Sequence, residues 1–241
     1  MSLNPFAQFQ THSLVDISLL GYDVSFTNSA MFMLMAVALV GGFFYFSSKY
    51  AVIIPGKLQS SAELIFEFVG NTLHEAAGKA SKPFFPFIFT LFTFILTLNL
   101  LGMMPYGFTV TSHVSVTFAI ATMIFLAVTI TGFAKHGLKF LSLFLPHGTP
   151  MYIAPLMILI ELFSFLSRPV SLSIRLAGNM IAGHVLLKVL AGFVVMMGVY
   201  GIVPIPFMVV MVGFELFVAI LQAYLFTILA CVYLNDAINL H

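Results

Sequence analysis

The sequence predicts an all-α integral membrane protein with about six helices, and three observations lead to this prediction. Charged residues make up 7% of the 241 residues, against about 25% in an ordinary globular domain. Apolar residues make up 61% of the chain, and its mean hydropathy is +1.12. Several uncharged stretches reach the roughly 20 residues that a helix needs to cross a bilayer. We therefore expect one transmembrane domain over residues 1–241, with no separate soluble domain.

The composition also argues against several functional classes. The net charge of +1 gives no reason to expect nucleic acid as a partner. Cys231 is the sole cysteine, so a disulfide within the chain is impossible. Residues 1–28 contain no Lys or Arg, and we expect no cleavable signal peptide. The sequence has no Gly-rich phosphate loop, and we expect neither a cofactor nor a bound metal.

The first two elements differ in character. Residues 24–48 are uncharged and predict the first span. Residues 55–82 place charged side chains among apolar ones with a helical period, which predicts an amphipathic helix along the membrane surface.

The remaining chain predicts two hairpins. Residues 84–134 contain no Asp, Glu, Lys or Arg and are long enough for two helices, with a break at 102–107. A turn at 146–150 follows. Residues 151–197 and 206–236 predict two long final segments. The first of these exceeds one perpendicular crossing, so it is either two helices or one strongly tilted helix, and we favour a tilted helix kinked near Pro169.

The basic residues predict the orientation. With these spans, six of the nine Lys and Arg lie on one side, which the positive-inside rule makes the inner side. Asp16 and Asp23 then place the N-terminus on the outer side, and His241 lies inside. The six basic residues are Lys49, Lys57, Lys79, Lys82, Lys135 and Lys139.

A few polar side chains remain inside the spanning segments. Arg175 is the costliest, because a guanidinium keeps its proton and a cation at the bilayer centre costs about 2.5–3.5 kcal/mol. Glu161, Arg168 and Arg175 are seven residues apart and lie within about 40° of one another on the fifth helix. The other members are Asn179, His184, Lys188, Glu215, Gln222 and Asp236.

Antiparallel packing of the last two helices would pair some of these residues. With a turn near Ile202, His184 lies 18 residues before the turn and Glu215 13 residues after it. Arg175 lies 27 residues before the turn and Gln222 20 residues after it. The differences of five and seven residues are similar, so one register predicts both an outer His184–Glu215 contact and a deeper Arg175–Gln222 contact.

The chemistry of this seam suggests proton conduction. A histidine beside a carboxylate exchanges protons near neutral pH, as a relay requires. Arg175 cannot relay a proton, but it can block continuous flow and attract a carboxylate. Small residues at 178, 182 and 183 permit another helix to approach closely. The sequence therefore suggests two partial proton paths separated by a fixed positive charge.

Structural roles stay open for several of these residues. His184 could be a hydrogen-bonded structural residue, and Asn179 and Gln222 could simply join two helices. For Arg168 and Lys188 we favour side chains that extend to the membrane interface. Arg175 is the residue that a purely structural role leaves unexplained.

Three motifs resemble one family. Residues 167–184, SRPVSLSIRLAGNMIAGH, are strongly similar to the core of subunit a of F-type ATP synthases. Residues 221–226, LQAYLF, and residues 99–105, NLLGMMP, resemble two further motifs of the same family. The resemblance extends over nearly the whole chain.

The resemblance implies a proton-channel stator subunit that presents two offset half-channels to the ring of c subunits. Arg175 would be the essential charge facing the ring carboxylates, with Gln222 as its partner. Asn179, His184 and Glu215 would belong to the outer half-channel and Glu161 to the inner one. In many bacterial members the carboxylate and the imidazole of the outer pair occupy each other's positions.

The resemblance also implies partners and a location. The partners would be the c-subunit ring, peripheral-stalk b-type subunits, other synthase subunits and membrane lipid, with protons as the transported ion. The chain would not be an enzyme by itself. It would lie in an energy-transducing inner membrane, and we favour a bacterial plasma membrane over the mitochondrial inner membrane.

Three other functions are alternatives to the proton-channel stator. A self-contained transporter or cation channel is expected to show internal repeats, and none is visible in the sequence. A membrane scaffold leaves Arg175 unexplained. A sodium-driven form of the stator stays open, because ion choice lies largely in the ring.

Overall fold

A computed structural model describes residues 11–16, 18–19, 22–23, 25–49, 51–104, 107–144 and 152–239. The expected turn at 146–150 and the expected inner position of His241 lie outside these residues. Six α-helices run through the described chain and confirm the all-α prediction. They are α1 (Asn28–Lys49), α2 (Lys57–Ala77), α3 (Phe85–Gly102), α4 (Val114–His136), α5 (Ala154–Met196) and α6 (Pro204–Ile238).

Five of these helices are long and apolar enough to cross a membrane, namely α1, α3, α4, α5 and α6. α5 is one continuous helix of 43 residues with Pro169 inside it, rather than two helices. At 1.5 Å per residue it is about 65 Å long, twice the roughly 30 Å of a hydrocarbon core. A helix of this length requires a strong tilt to remain within the bilayer.

Local signals mark the helix ends. Proline lies at the first or second position of α3, α5 and α6, where its missing N–H costs nothing and its fixed φ suits the helix. α2 ends at Gly78 with φ +67° and α4 ends at Gly137 with φ +57°. With ψ angles of −171° and −136°, this backbone conformation turns the chain out of the helix and is open to glycine almost alone.

Two short antiparallel strand pairs precede α1, and the sequence did not predict them. β1 (Ser13–Val15) pairs with β4 (Phe26–Thr27), and β2 (Ser18–Leu19) pairs with β3 (Tyr22–Asp23). Strands of two or three residues are too short to show the alternating pattern by which strands are recognised.

The core lies where α6 packs against α2, α3, α4 and α5. A face of α6 carries four alanines, and each is at most 1% exposed: Ala219, Ala223, Ala230 and Ala237. Lipid is as apolar as leucine, so membrane helices associate through close packing, which small residues permit. α2 buries one face, including Val69 and Leu73, and leaves Glu63 and Glu67 exposed.

Polar contacts join α6 to its neighbours at its C-terminal end. His136 Nε2 on α4 lies 3.0 Å from the carbonyl oxygen of Ile238. Arg168 Nη1 lies 3.5 Å from Asp236 Oδ2, and its guanidinium lies over the ring of Tyr233. Arg168 therefore has a partner inside the chain, whereas the sequence favoured an interfacial role. Both side chains are partly exposed, so this pair stabilises the fold by at most about 1 kcal/mol.

Candidate functional site

The structure brings His184 of α5 and Glu215 of α6 together, as the register predicted. His184 Nδ1 and Glu215 Oε1 are in direct contact, which is an ion pair when the imidazole is protonated, and the two side chains are 12% and 5% exposed. The same Nδ1 lies 3.2 Å from the carbonyl oxygen of Met180. The other ring nitrogen, Nε2, lies 3.0 Å from the carbonyl oxygen of Gly102 at the end of α3.

The ring of His184 thus links three helices. An imidazolium donates from both nitrogens, whereas a neutral imidazole donates from one only. A proton arriving at this ring or leaving it therefore changes its hydrogen bonds to α3 or α6. That coupling is what a relay group requires, since the proton needs an acceptor within hydrogen-bond distance at each step.

A glycine allows the two helices to approach at this point. A Cβ added at Gly183 would lie 2.8 Å from Glu215 Oε1 and 3.1 Å from its Cδ. Real Cβ atoms do not come so near, so any larger residue here displaces the carboxylate from His184.

We therefore expect Gly183→Ala to be less stable than Gly178→Ala by about 1 kcal/mol, the lower end of the cost of overpacking, because the displaced atom is the end of a flexible side chain. Gly178→Ala is the matched control, because nothing lies within 4 Å of its Cβ position. Both changes gain the same helix propensity of about 1 kcal/mol, so their difference isolates the contact with Glu215. Thermal unfolding of the purified subunit measures it, and equal stabilities for the two variants would contradict the tight contact.

The His184–Glu215 contact also fixes the positions of Arg175 and Gln222 relative to each other along the two helices. Arg175 lies nine residues before His184 on α5, and Gln222 lies seven residues after Glu215 on α6, in the same direction along the helix pair. The difference of two residues is about 3 Å of helical rise, so both lie at nearly the same depth. Within the described residues no hydrogen bond or ion pair joins them, and their contact stays a prediction.

Arg175 lies on a face of α5 that the chain leaves uncovered. We call this the open face, and its exposed members are Ser171, Arg175, Gly178, Asn179 and Ala182. The opposite side of the helix is packed, with Leu172, Leu176, Ala177 and Met180 at most 3% exposed. The open face is therefore lined by small or polar residues around one guanidinium.

The remaining sequence-predicted residues lie apart from the histidine pair. Asn179 is on the open face with Arg175, while Gln222 is 5% exposed on α6. Glu161 is half-buried on α5, 14 residues from Arg175 and thus about 21 Å from it along the axis. The structure therefore separates three parts along the helix: the histidine pair, the open face and the carboxyl group of Glu161.

Sequence reasoning missed two partners of the site. The carbonyl of Gly102 faces His184, and Asn99 Nδ2 donates a hydrogen bond of 3.0 Å to the carbonyl oxygen of Ala219. A backbone carbonyl has no signature in the sequence. Asn99 was visible as a polar residue within an otherwise apolar helix, and that isolation was a usable signal.

A comparison with protein-family models gives a match over most of the chain. The family model described as ATP synthase A chain matches residues 30–235 of the 241. The matched region runs from the start of α1 almost to the end of α6. It contains the histidine pair, the open face and Glu161.

Proposed function

The chain belongs to the ATP synthase A chain family, and on that premise we propose that it is the proton-conducting stator subunit of the membrane motor. As a member of this family it is a membrane-embedded Fo subunit and is not itself the catalytic one. In the proposed mechanism, two offset half-channels meet the c-subunit ring, and Arg175 separates them. Proton flow through the half-channels then drives rotation and ATP synthesis.

The observation that carries this proposal is the exposure of Arg175 on the open face. A cation at the bilayer centre costs about 2.5–3.5 kcal/mol. A carboxylate about 4 Å away, at an effective dielectric constant near 20, returns about 4 kcal/mol. The attraction is similar in size to the cost of burying the guanidinium, so a ring carboxylate docked on the open face offsets that cost. The small neighbours Gly178 and Ala182 allow a partner helix to come that near.

The fixed charge also explains why the two paths must be separate. Arg175 does not release its proton at any physiological pH, so protons cannot pass through it. A proton arriving from the outer side is transferred instead to a ring carboxylate. This protonation removes the negative charge of the carboxylate, so that the ring subunit can move through lipid. His184 and Glu215 deliver that proton, and Asn179 and Gln222 orient the transfer beside Arg175. Glu161 receives the proton on the inner side.

A bulky substitution on the open face tests the docking. We expect Gly178→Phe to leave the fold of the subunit intact, because nothing lies within 4 Å of its Cβ position, and to reduce its association with the ring. The control is Leu166→Phe, since Leu166 is 51% exposed and lies nine residues before Arg175, on the side of α5 opposite that residue. The measurement is the amount of c-type proteolipid that co-purifies with the tagged subunit. Equal recovery with both variants would argue against docking on the open face.

The function itself is tested at Arg175. Replacing this residue in the assembled complex should abolish coupled proton pumping while ATP hydrolysis continues.

A further inference from the structure

A cavity lies where the amphipathic helix α2 meets the start of α3. Its volume is about 320 Å³, which falls within the roughly 300–1,000 Å³ of sites that bind small ligands. The 3₁₀ turn Lys79–Phe84 connects the two helices and borders the cavity. The lining residues that matter for its chemistry are Phe66, Gly70, Leu73, His74, Lys82 and Phe85.

The apolar and polar lining residues lie in different parts of the cavity. The ring of Phe66 on α2 lies 4.6 Å from the ring of Phe85 and 5.7 Å from that of Phe89, between centroids. Phe89 is one turn further into α3. His74 and Lys82, in contrast, come from the last turn of α2 and from the 3₁₀ turn, and both are exposed. The cavity therefore has an apolar part beside α3 and a polar rim where the chain enters its second span.

The polar rim carries positive charge. Among the described residues no ion pair joins Lys79 or Lys82 to a carboxylate. Glu75 is the nearest carboxylate along the chain, and it does not line the cavity. The candidate span that contains α3 begins at Lys79, and lysines at the end of a spanning helix extend to the membrane interface. An anionic group at the membrane surface would complete this rim.

We propose that the cavity binds one anionic phospholipid, with its phosphate between His74 and Lys82 and part of an acyl chain against Phe66 and Phe85. The predicted orientation places these lysines at the leaflet that carries anionic lipid. An imidazole donates a hydrogen bond in either charge state, so His74 can bind a phosphate oxygen. The lipid would attach the C-terminal end of α2 to the membrane, and its binding does not depend on proton conduction.

The size of the cavity favours a lipid over a helix of another subunit. A cylinder about 10 Å across and one turn of about 5.4 Å long occupies about 420 Å³, more than the whole cavity. An acyl chain is thinner, and its phosphate end matches the charge of the rim. A single side chain from a neighbouring subunit is the alternative occupant, and the assembled complex distinguishes it from lipid.

A larger side chain at Gly70 tests the apolar part. A Cβ added there would meet only Phe85 Cε2 within 4 Å, at 3.6 Å, so Gly70→Leu fits the backbone and fills the cavity with its outer atoms. Gly42→Leu on α1 is the matched control, because nothing lies within 4 Å of its Cβ position.

Mass spectrometry of the intact assembled complex, purified from membranes with equal amounts of phosphatidylglycerol and phosphatidylcholine, counts the retained lipids. We expect the Gly70→Leu complex to retain one phosphatidylglycerol molecule fewer than the Gly42→Leu complex. Equal counts would mean that another subunit covers the cavity or that it holds no lipid, and either result would overturn the proposal.

A tryptophan placed at the cavity tests the preference for an anionic headgroup. The chain contains no tryptophan, and Phe66 is 56% exposed, so Phe66→Trp gives a single fluorophore at this site. Lipids with brominated acyl chains quench it on contact. In bilayer discs that contain the full chain, we expect phosphatidylglycerol to occupy the site at least about fivefold more strongly than phosphatidylcholine, the gain from one lysine beside anionic lipid. Phe118→Trp, in a stretch without charged residues, should show no preference.

Two lysine variants assign the headgroup contact. Lys82→Ala in the Phe66→Trp chain should lower the preference for phosphatidylglycerol about fivefold. Lys57→Ala removes an exposed lysine at the other end of α2, which does not line the cavity, and should leave the preference unchanged. Equal preferences at positions 66 and 118, or equal effects of the two lysine variants, would overturn the proposed lipid site.

Discussion

Arg175→Ala should reduce ATP-driven proton pumping to the background level while the assembled catalytic head still hydrolyses ATP. The substitution removes the attraction of about 4 kcal/mol that we assign between the guanidinium and a ring carboxylate. At 1.4 kcal/mol per tenfold change, this corresponds to roughly a thousandfold weaker preference for the docked carboxylate. It also removes the barrier between the half-channels, so that protons pass without turning the ring.

Membrane vesicles containing the complete complex provide the measurement, with pumping followed by an acid-sensitive dye and hydrolysis by phosphate release. Arg175→Lys should also fail, because an ammonium can lose its proton and lacks the planar fork of donors. Lys188→Ala is the control, since it removes a cation from the same helix at a position that we expect near the outer interface. Normal coupled pumping by Arg175→Ala would refute the proposed function.

His184→Ala and Glu215→Gln should each lower proton flux by about 10²–10³-fold, in the range of removing one general acid or base. His184→Ala removes the contact between His184 Nδ1 and Glu215 Oε1, whereas Glu215→Gln keeps an oxygen that accepts a hydrogen bond but cannot take up a proton. The first removes the group that links α3 to α6, and the second removes the acceptor of its proton. Buried hydrogen-bonded groups of this kind act as a unit.

An exchange of the two side chains distinguishes a relay from a structural pair. The double variant His184→Glu with Glu215→His keeps one imidazole and one carboxylate in contact and should recover much of the flux that each single change loses. The rate of passive proton flow through the complex, measured across a range of pH, gives the comparison. Single variants with unchanged flux and pH profile would return His184 to a structural role.

The amino-acid sequence predicted one contact of the candidate site, although most of the chain is apolar. Counting residues from the turn near Ile202 was enough to pair His184 with Glu215, because two antiparallel helices leave little freedom of register. For Arg175 the sequence predicted only that the small residues beside it permit another helix to approach, and the role of this residue stays a prediction. The pairing of His184 with Glu215 succeeded because a polar group in a membrane helix is costly and needs a partner.

Other features were beyond reach for physical reasons. The partner of His184 on α3 is a backbone carbonyl, which any residue could supply. Arg168 pairs with Asp236, 68 positions away, and its sequence context alone fitted an interfacial side chain equally well. The contact between Arg175 and Gln222 stays a prediction, since equal depth on two helices does not fix the directions of the two side chains.

The packed side of α5 has a mechanical consequence. A proton crossing 100 mV of membrane potential releases about 2.3 kcal/mol, and in the proposed motor this work appears as a sideways load on the open face. If the helix yielded, the energy would be spent in bending it and would not reach the rotor. The packed side of α5 supports the helix against this load through four buried residues: Leu172, Leu176, Ala177 and Met180. Variants of these four residues should therefore be tested for the bending stiffness of α5 under torque, separately from their effect on proton transfer.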